Sequence, residues 1–426
     1  MLSIERLEEM NHWWRMGSVK DIFAPEHKRA LFYEINKHVK LRQIIGIIGL
    51  RRVGKTTILY QLIQELIKNK VEPKNILYFS FDEEKDEIRE VIKLYQEKVL
   101  QKDLREEEKA YIFFDEIQKT GDWQDKIKTF YDLYPNVKFF ISGSASLNIL
   151  LKAKETLAGR IFYFSADLLS FREFLEFKGL LGKIEKNPDI WGSELRIQMD
   201  NYLIRPFPEI VNAEEEIAKK YIKESIIEKA IFRDLTSLFD IKEAELIEKL
   251  VHILASNPGM IVNLEDLSKE MGRSRQLISN YLYYLECCFL VKSLRNFRGS
   301  LRASSRKLKK YYLIHPALSL SLEFPDSGKV AENTVLFKSK ADYFWRETDK
   351  EVDFILRDKK IVKPVEVKYQ KNINDKDTKS MLKFMDIFKV KDATVITLDY
   401  EEKKKIDGKT INFIPMWKYL LESRDE

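Results

Sequence analysis

One octapeptide constrains this chain more than any other feature. Gly49-Leu50-Arg51-Arg52-Val53-Gly54-Lys55-Thr56 fits the pattern G-x-x-x-x-G-K-[ST] in full. Before it, Ile44–Ile48 is a short, apolar, β-branched run that reads as a buried strand. After it, Ile58, Leu59, Leu62, Ile63, Leu66 and Ile67 recur at helical spacing within residues 55–69. Glycines let a loop in this setting curl so that backbone N–H groups point at phosphate oxygens, and the following helix adds its positive end. Lys55 is then the residue to reach the β- and γ-phosphates of ATP, and Thr56 supplies a hydroxyl to Mg²⁺. Gly49, Leu50, Arg51, Arg52, Val53, Gly54, Lys55, Thr56 and Thr57 form the candidate ATP-binding set. A chance glycine-rich turn would not arrive with both flanks in order.

Tyr111-Ile112-Phe113-Phe114-Asp115-Glu116 is a second element of the same kind of site. Four apolar residues ending in two acids describe a central strand whose C-terminal end faces a ligand crevice. Asp115 is the candidate to hold Mg²⁺, directly or through water, and Glu116 the candidate general base for the attacking water. By itself the pair also suits a helix cap or solvated turn. The run Phe139–Ser144 ends in Ser142-Gly143-Ser144, where Ser142 or Ser144 would contact the γ-phosphate or position water, unless the triplet is a plain turn. Arg160 is a candidate to sense the γ-phosphate of its own or a neighbouring subunit's site. The plainer reading of Arg160 is a salt bridge at a domain junction.

Strands at Ile76–Phe81, Tyr111–Phe114 and Val137–Ser142 alternate with helices at Glu83–Leu100 and residues 123–134, which implies a parallel sheet covered on both faces. Residues 170–290 are mostly helical, and short strands return after about residue 330, giving expected domains 1–190, 191–325 and 326–426. The 426 residues allow two or three domains, and a hydrophobic fraction of 44% allows a sizeable core. A net charge of +6 does not by itself demand a nucleic-acid partner. The two cysteines, Cys287 and Cys288, are adjacent within an apolar run and read as buried free thiols, which suits a reducing compartment. The N-terminus has no apolar signal region, and no 18-residue apolar stretch exists, so the expectation is a soluble, cytoplasmic protein without a membrane span.

Several local patterns narrow the reading further. They are His12-Trp13-Trp14, the P-loop with Thr57, Phe114-Asp115-Glu116-Ile117-Gln118, Ser142-Gly143-Ser144, Leu157-Ala158-Gly159-Arg160, Leu169-Ser170-Phe171-Arg172-Glu173-Phe174 and Phe207-Pro208-Glu209. With them the chain resembles a family of prokaryotic, often archaeal, AAA-type ATPases, whose ATPase core is joined to a C-terminal half of unknown function. Arg205-Pro206 stands where that family often has glycines. The resemblance implies an α/β fold: a P-loop AAA+ core with a parallel sheet, then a helical and winged-helix domain, then a small α/β nuclease-like domain. It also implies a homo-oligomer.

Residues 244–297 have the tri-helical rhythm of a helix-turn-helix: Ala244–Ser256, Asn263–Met271 and Ser274–Cys288. Arg273, Arg275 and Gln276 open the third helix and are candidates for phosphate or base-edge contacts. The run Lys292–Lys310 contains no acid and adds Arg295, Arg298, Arg302, Arg306 and Lys307 as candidates for a wing on double-stranded or branched DNA. Its rival is a winged helix used only for subunit packing. In the tail, Glu332, Asp353 and Glu366-Val367-Lys368 resemble the order of PD-(D/E)xK nucleases. There Asp353 and Glu366 would share a divalent cation, Lys368 would activate water, and Glu332 would sit on a helix behind them. The alternative is a nuclease-like fold kept for packing or for gripping DNA. The whole reads as a Mg²⁺-dependent ATPase coupling hydrolysis to DNA binding or remodelling. The other reading is an ATP-gated switch in signalling or defence acting on protein partners.

Overall fold

A computed structural model of the chain describes residues 2–82, 86–144, 156–239, 241–298, 309–358, 361–370 and 373–422. It divides once, between Asp167 and Leu168, into two compact units. The fold is α/β.

The first unit is built on five parallel strands: β1 (Ile44–Ile48), β2 (Ile76–Ser80), β3 (Ala110–Asp115), β4 (Val137–Gly143) and β5 (Ile161–Ser165), in the order β2-β3-β4-β1-β5. Every residue of β1, β3 and β4 is buried, as expected of parallel strands covered on both faces. Phe113 and Phe140, register partners on β3 and β4, stack with ring centroids 4.2 Å apart. Such a pair contributes about 0.5–1.5 kcal/mol beyond its burial. Helix Lys55–Lys68 buries Ile58, Leu59, Leu62, Ile63 and Leu66 along one side, so the spacing read from sequence is the packed face. The strands at residues 76, 111 and 137 lie where expected within a residue or two, and β5 was not anticipated. Because all five strands run the same way, the C-terminal ends of β1, β3 and β4 open at one edge of the sheet, and the P-loop, the acid pair and Ser142 lie at those ends.

The second unit holds a nine-stranded mixed sheet. Its strands are β6 (Met260–Val262), β7 (Val291–Asn296), β8 (Lys309–Leu313), β9 (Tyr343–Glu347), β10 (Lys350–Asp358), β11 (Ile361–Lys368), β12 (Asp392–Thr397), β13 (Glu402–Ile406) and β14 (Lys409–Pro415). They are ordered β13-β14-β12-β11-β10-β9-β7-β8-β6. The parallel pairing of β7 with β9, Arg295 with Tyr343 and Asn296 with Phe344, carries this sheet across the boundary expected at 325/326. A single apolar core then draws on both sides of it, including Leu294 and Tyr312 together with Phe344, Phe354 and Trp417.

Helices Ala244–Ser256, Leu264–Glu270 and Arg275–Cys287 precede β7, with Asn263 and Ser274 as side-chain N-caps of the last two. Ile278, Leu282 and Leu285 are buried as expected, and Cys287 and Cys288 are buried free thiols. In β10 the pairing with β9 slips between Val352 and Ile355. Val352 and Ile355 consequently share one core while Phe354 enters the other, which strict alternation would not allow. Asp353 sits at this bulge.

Candidate functional site

At the P-loop, Gly49 has φ +155°, and a Cβ there would lie 2.1 Å from the carbonyl oxygen of Ala166, so only glycine fits between the loop and the end of β5. Gly54, with φ +91°, turns the chain into helix Lys55–Lys68, whose N-terminus has no side-chain cap. Lys55 is buried, and its ammonium donates to the carbonyls of Gly49 at 3.1 Å and Leu50 at 2.9 Å, crossing the mouth of its own loop. Arg29, not anticipated from sequence, braces the loop from below. Its guanidinium donates to the carbonyls of Val53 at 2.8 Å and Asp167 at 2.9 Å.

Asp115 is 2% exposed and receives four donors. Its Oδ2 accepts from Thr56 Oγ1 at 2.6 Å and from Tyr78 Oη at 3.0 Å. Its Oδ1 accepts from the hydroxyl of Ser142 and from the backbone N–H of Glu116 at 3.1 Å. Burial pushes the Asp115 carboxyl above its ordinary pKa, Glu116 adds to this, and Ser142, Thr56 and Lys55 oppose it. A divalent cation would reverse that balance. Burial likewise raises the Tyr78 phenol well above the usual range, with Asp115 reinforcing it.

Glu116 occupies the left-handed region at φ +52°, a conformation that costs a residue with a side chain about 1–3 kcal/mol and tends to persist where surrounding structure requires it. Its Oε2 accepts from Gln118 Nε2 at 2.6 Å and from Ser144 Oγ at 3.1 Å. Gln118 Oε1 is buried without a hydrogen-bond partner among the described residues. Tyr78 carries no motif letter of its own, and Gln118 enters only as the last letter of Phe114-Asp115-Glu116-Ile117-Gln118, with no role attached to it. Their roles became visible only through the strands that bring them to the acids. The donor set fits a magnesium nucleotide: an uncapped helix start, a buried ammonium, a hydroxyl already on a buried carboxylate, and an unsatisfied amide oxygen beside a second carboxylate.

Arg160 does not join this cluster. It precedes Ile161, the register partner of Ile44 at the start of β1, and its backbone carbonyl accepts from the N–H of Ile44 at 2.8 Å. It therefore lies at the opposite end of the parallel sheet from Gly49, and its guanidinium pairs with Asp132 at 3.0 and 3.2 Å. Action on its own nucleotide, one of the two options from sequence, does not agree with this register. Its partner Asp132 belongs to the same unit, so the side chain makes a salt bridge, but not one between the two units.

Among the DNA candidates, Arg273, Arg275 and Gln276 are exposed at the start of helix Arg275–Cys287. Arg273 bonds Glu243 at 2.5 and 2.9 Å, Arg275 lies 3.9 Å from Glu265, and Gln276 bonds Asn280 at 2.8 Å. Arg295 stacks on Tyr343 at 5.1 Å, and Arg298 is exposed. Arg302, Arg306 and Lys307 lie outside the described residues. Lys310, counted from sequence as part of the basic run, is 2% exposed and turned into the tail's acids. A cation on the inward face of β8 is indistinguishable in sequence from one on the outward face of a wing.

The tail residues do converge. Glu332 stands on helix Ser327–Ser339, and Asp353 and Glu366 are neighbours across β10 and β11. The N–H of Asp353 donates to Glu366 at 3.2 Å and that of Val367 to Asp353 at 2.9 Å. Lys368 donates to Glu366 at 2.7 Å. The Lys310 ammonium lies 2.5 Å from Glu351, 3.1 Å from Glu332 and 3.7 Å from Asp353. Burial pushes Asp353 up to about 6, with Glu332 adding and Lys310 opposing. Burial and then Asp353 push Glu366 up to about 8. Burial also acts upward on Glu332, but Lys310 and Lys329 outweigh it and hold its pKa low. Among the described residues no group of three or more His, Cys, Asp or Glu side chains is arranged to hold a metal ion. Here a lysine stands among the carboxylates that the sequence reading gave to a second cation.

With this geometry in view, comparison with known proteins gives the first unit its kinship. Residues 41–175 match the family model of an AAA domain. Residues 198–327 and 327–419 match two models described as domains of unknown function, DUF8612 and DUF4143. An uncharacterized protein of Methanocaldococcus jannaschii is 27% identical, with 91% of this chain and 91% of the relative covered. Another from the same organism is 26% identical over 97% of this chain and 93% of its own length. An uncharacterized protein of Haemophilus influenzae is 25% identical over 87% of this chain and 92% of its own. A solved structure of C. elegans PCH-2 aligns with 43% of this chain and 47% of its own, at 15% identity and a TM-score of 0.25. The AAA-domain match supports an ATPase-type, nucleotide-binding function. No helix among the described residues is long and apolar enough to cross a membrane.

Proposed function

We propose that this chain is a Mg²⁺-dependent ATPase that couples hydrolysis to binding or remodelling of double-stranded or branched DNA. The observation that carries the ATPase reading is the bond between Thr56 and Asp115, which joins the P-loop to the acid pair at one edge of the parallel sheet. In this reading the loop 49–57 and Lys55 bind the phosphates, and Thr56 and Asp115 would hold Mg²⁺, which would supply charge neutralisation for the phosphoryl oxygens. Ser142 orients Asp115. Glu116 takes the proton of the attacking water, and Gln118 and Ser144 hold its carboxylate. Arg160 acts on the nucleotide of a neighbouring copy in a homo-oligomer, since its own site is at the far end of the sheet.

The DNA part is supported by the order helix, β6, two capped helices, β7 and β8, a winged-helix arrangement, with Arg275, Gln276 and Arg298 exposed on it. The second reading, an ATP-gated switch with protein partners, is favoured by one specific observation. Arg273 at the start of the third helix, and Lys292 and Lys310 of the basic run, already face acids. Steady-state ATPase rates with duplex, flap and junction DNA, across a salt series, separate the two. DNA-stimulated turnover that weakens steeply with salt is expected. Mg²⁺-dependent turnover indifferent to every DNA at low salt would leave the switch.

A further inference from the structure

β2 is an edge strand, and the groups on its outer side would be left without a strand partner. The N-terminal segment supplies one. The side chain of Asn11, fully buried, makes both bonds of a ladder partner with Tyr78. Its Nδ2 donates to the Tyr78 carbonyl at 2.8 Å, and its Oδ1 accepts from the Tyr78 N–H at 2.6 Å. The same Nδ2 also bonds the Leu7 carbonyl at 2.8 Å, which ties the clamp to helix Ile4–Met10. The indoles of Trp13 and Trp14 both donate to the carbonyl of Ile76, at 3.2 and 2.8 Å. This is the part of the His12-Trp13-Trp14 pattern that the nucleotide chemistry leaves unused.

The clamped residue is the one whose hydroxyl reaches the acid pair. Tyr78 Oη donates to Asp115 Oδ2 at 3.0 Å. The ring is held against Tyr60, at 4.7 Å between centroids, and Tyr60 in turn packs on Trp13 at 6.1 Å. Of the three hydroxyls on Asp115, that of Thr56 belongs to a candidate cation ligand, whose oxygen lone pair can meet the cation while its proton stays on Asp115. Ser142 holds the other oxygen. Tyr78 is the donor to Oδ2 that is not itself a candidate cation ligand.

We propose that Tyr78 is a positioning residue for the cation-side carboxylate Asp115, set in place by the Asn11 clamp on β2. The inference rests on the nucleotide-site reading above. Partners of this kind, one bond removed from the metal, typically carry 10–100-fold in metal affinity. Tyr78→Phe removes the hydroxyl and keeps the ring. The test titrates a fluorescent ATP analogue into the full chain with Mg²⁺ and again with EDTA, and compares the two affinities. For Tyr78→Phe, the gain in affinity from Mg²⁺ is expected to fall by about 10-fold or more while affinity in EDTA stays at the wild-type value. Asn11→Asp, which loses the Nδ2 donor, is expected to fall in the same direction by less. A Tyr78→Phe chain with an undiminished Mg²⁺ gain overturns the proposal. Equal losses with and without Mg²⁺ also overturn it, because a merely structural role would produce them. A wild-type chain that binds the analogue identically in both conditions overturns the site reading itself.

Discussion

Lys310→Met tests how the tail's acids are neutralised. The substitution keeps the apolar stem of a side chain that is 2% exposed and removes the charge facing Glu351, Glu332 and Asp353. Removing one partner from a buried ionic cluster costs about 3–5 kcal/mol, because the remaining charges stay buried and uncompensated. For a unit of this size each kcal/mol moves the unfolding midpoint by about 2–4 °C, so a fall of about 6–20 °C is expected near pH 8. The cost should shrink on acidification. Asp353 and Glu366 have folded-state pKa values raised to about 6 and about 8, above their unfolded values. Groups of that kind favour the fold while protonated, and their contribution is lost as pH rises through the folded values. At pH 5 both acids hold protons, and less charge is stranded by the missing lysine. Scanning calorimetry at pH 5 and pH 8 reads both effects and resolves the two units if they melt apart. An equal shift at the two pH values, or none at pH 8, would refute the argument.

Three further outcomes follow from the first unit. Glu116→Gln should leave nucleotide affinity intact and lower turnover by about 10²–10⁴-fold, as measured by single-turnover hydrolysis; retained turnover would remove Glu116 as the base. Arg29→Ala strands the carbonyls of Val53 and Asp167 and should cost about 1–3 kcal/mol, read as a lowered melting midpoint that saturating nucleotide partly restores. Arg160→Ala and Glu116→Gln chains, each impaired alone, should regain ATPase activity when mixed, since the arginine of one copy would serve the intact base of another. No recovery at any mixing ratio would argue against action in trans.

The ATP-side residues were legible because their chemistry is tied to contiguous letters. The stretch from Ile44 to Thr56 encodes strand, loop and helix in one passage, and Phe114-Asp115-Glu116 marks the end of a strand by its own composition. What sequence left dark was contact over distance. Arg29 reaches Val53, Asn11 reaches Tyr78 and Tyr78 reaches Asp115 across the fold, and nothing local in any of these residues announces the partner. β5 was missed because Ile161–Ser165 is short and only partly buried. In the tail, Glu332, Asp353, Glu366 and Lys368 were singled out by the resemblance of their order to PD-(D/E)xK nucleases. The residue that changes their meaning, Lys310, was hidden within a cationic run whose other members look the same in one dimension.

The pairing of β7 with β9 has a practical edge. A shorter chain beginning near residue 326 would retain the acids of the tail but lack the lysine on β8 that accompanies them, and it would present the flank of β9 as an unpaired strand margin. Such a fragment would gather on itself in solution. Its behaviour toward metals or DNA would report the cut rather than the protein. The second half of this molecule therefore shares one sheet, with the lysine and the acids it faces on opposite sides of any cut near residue 326.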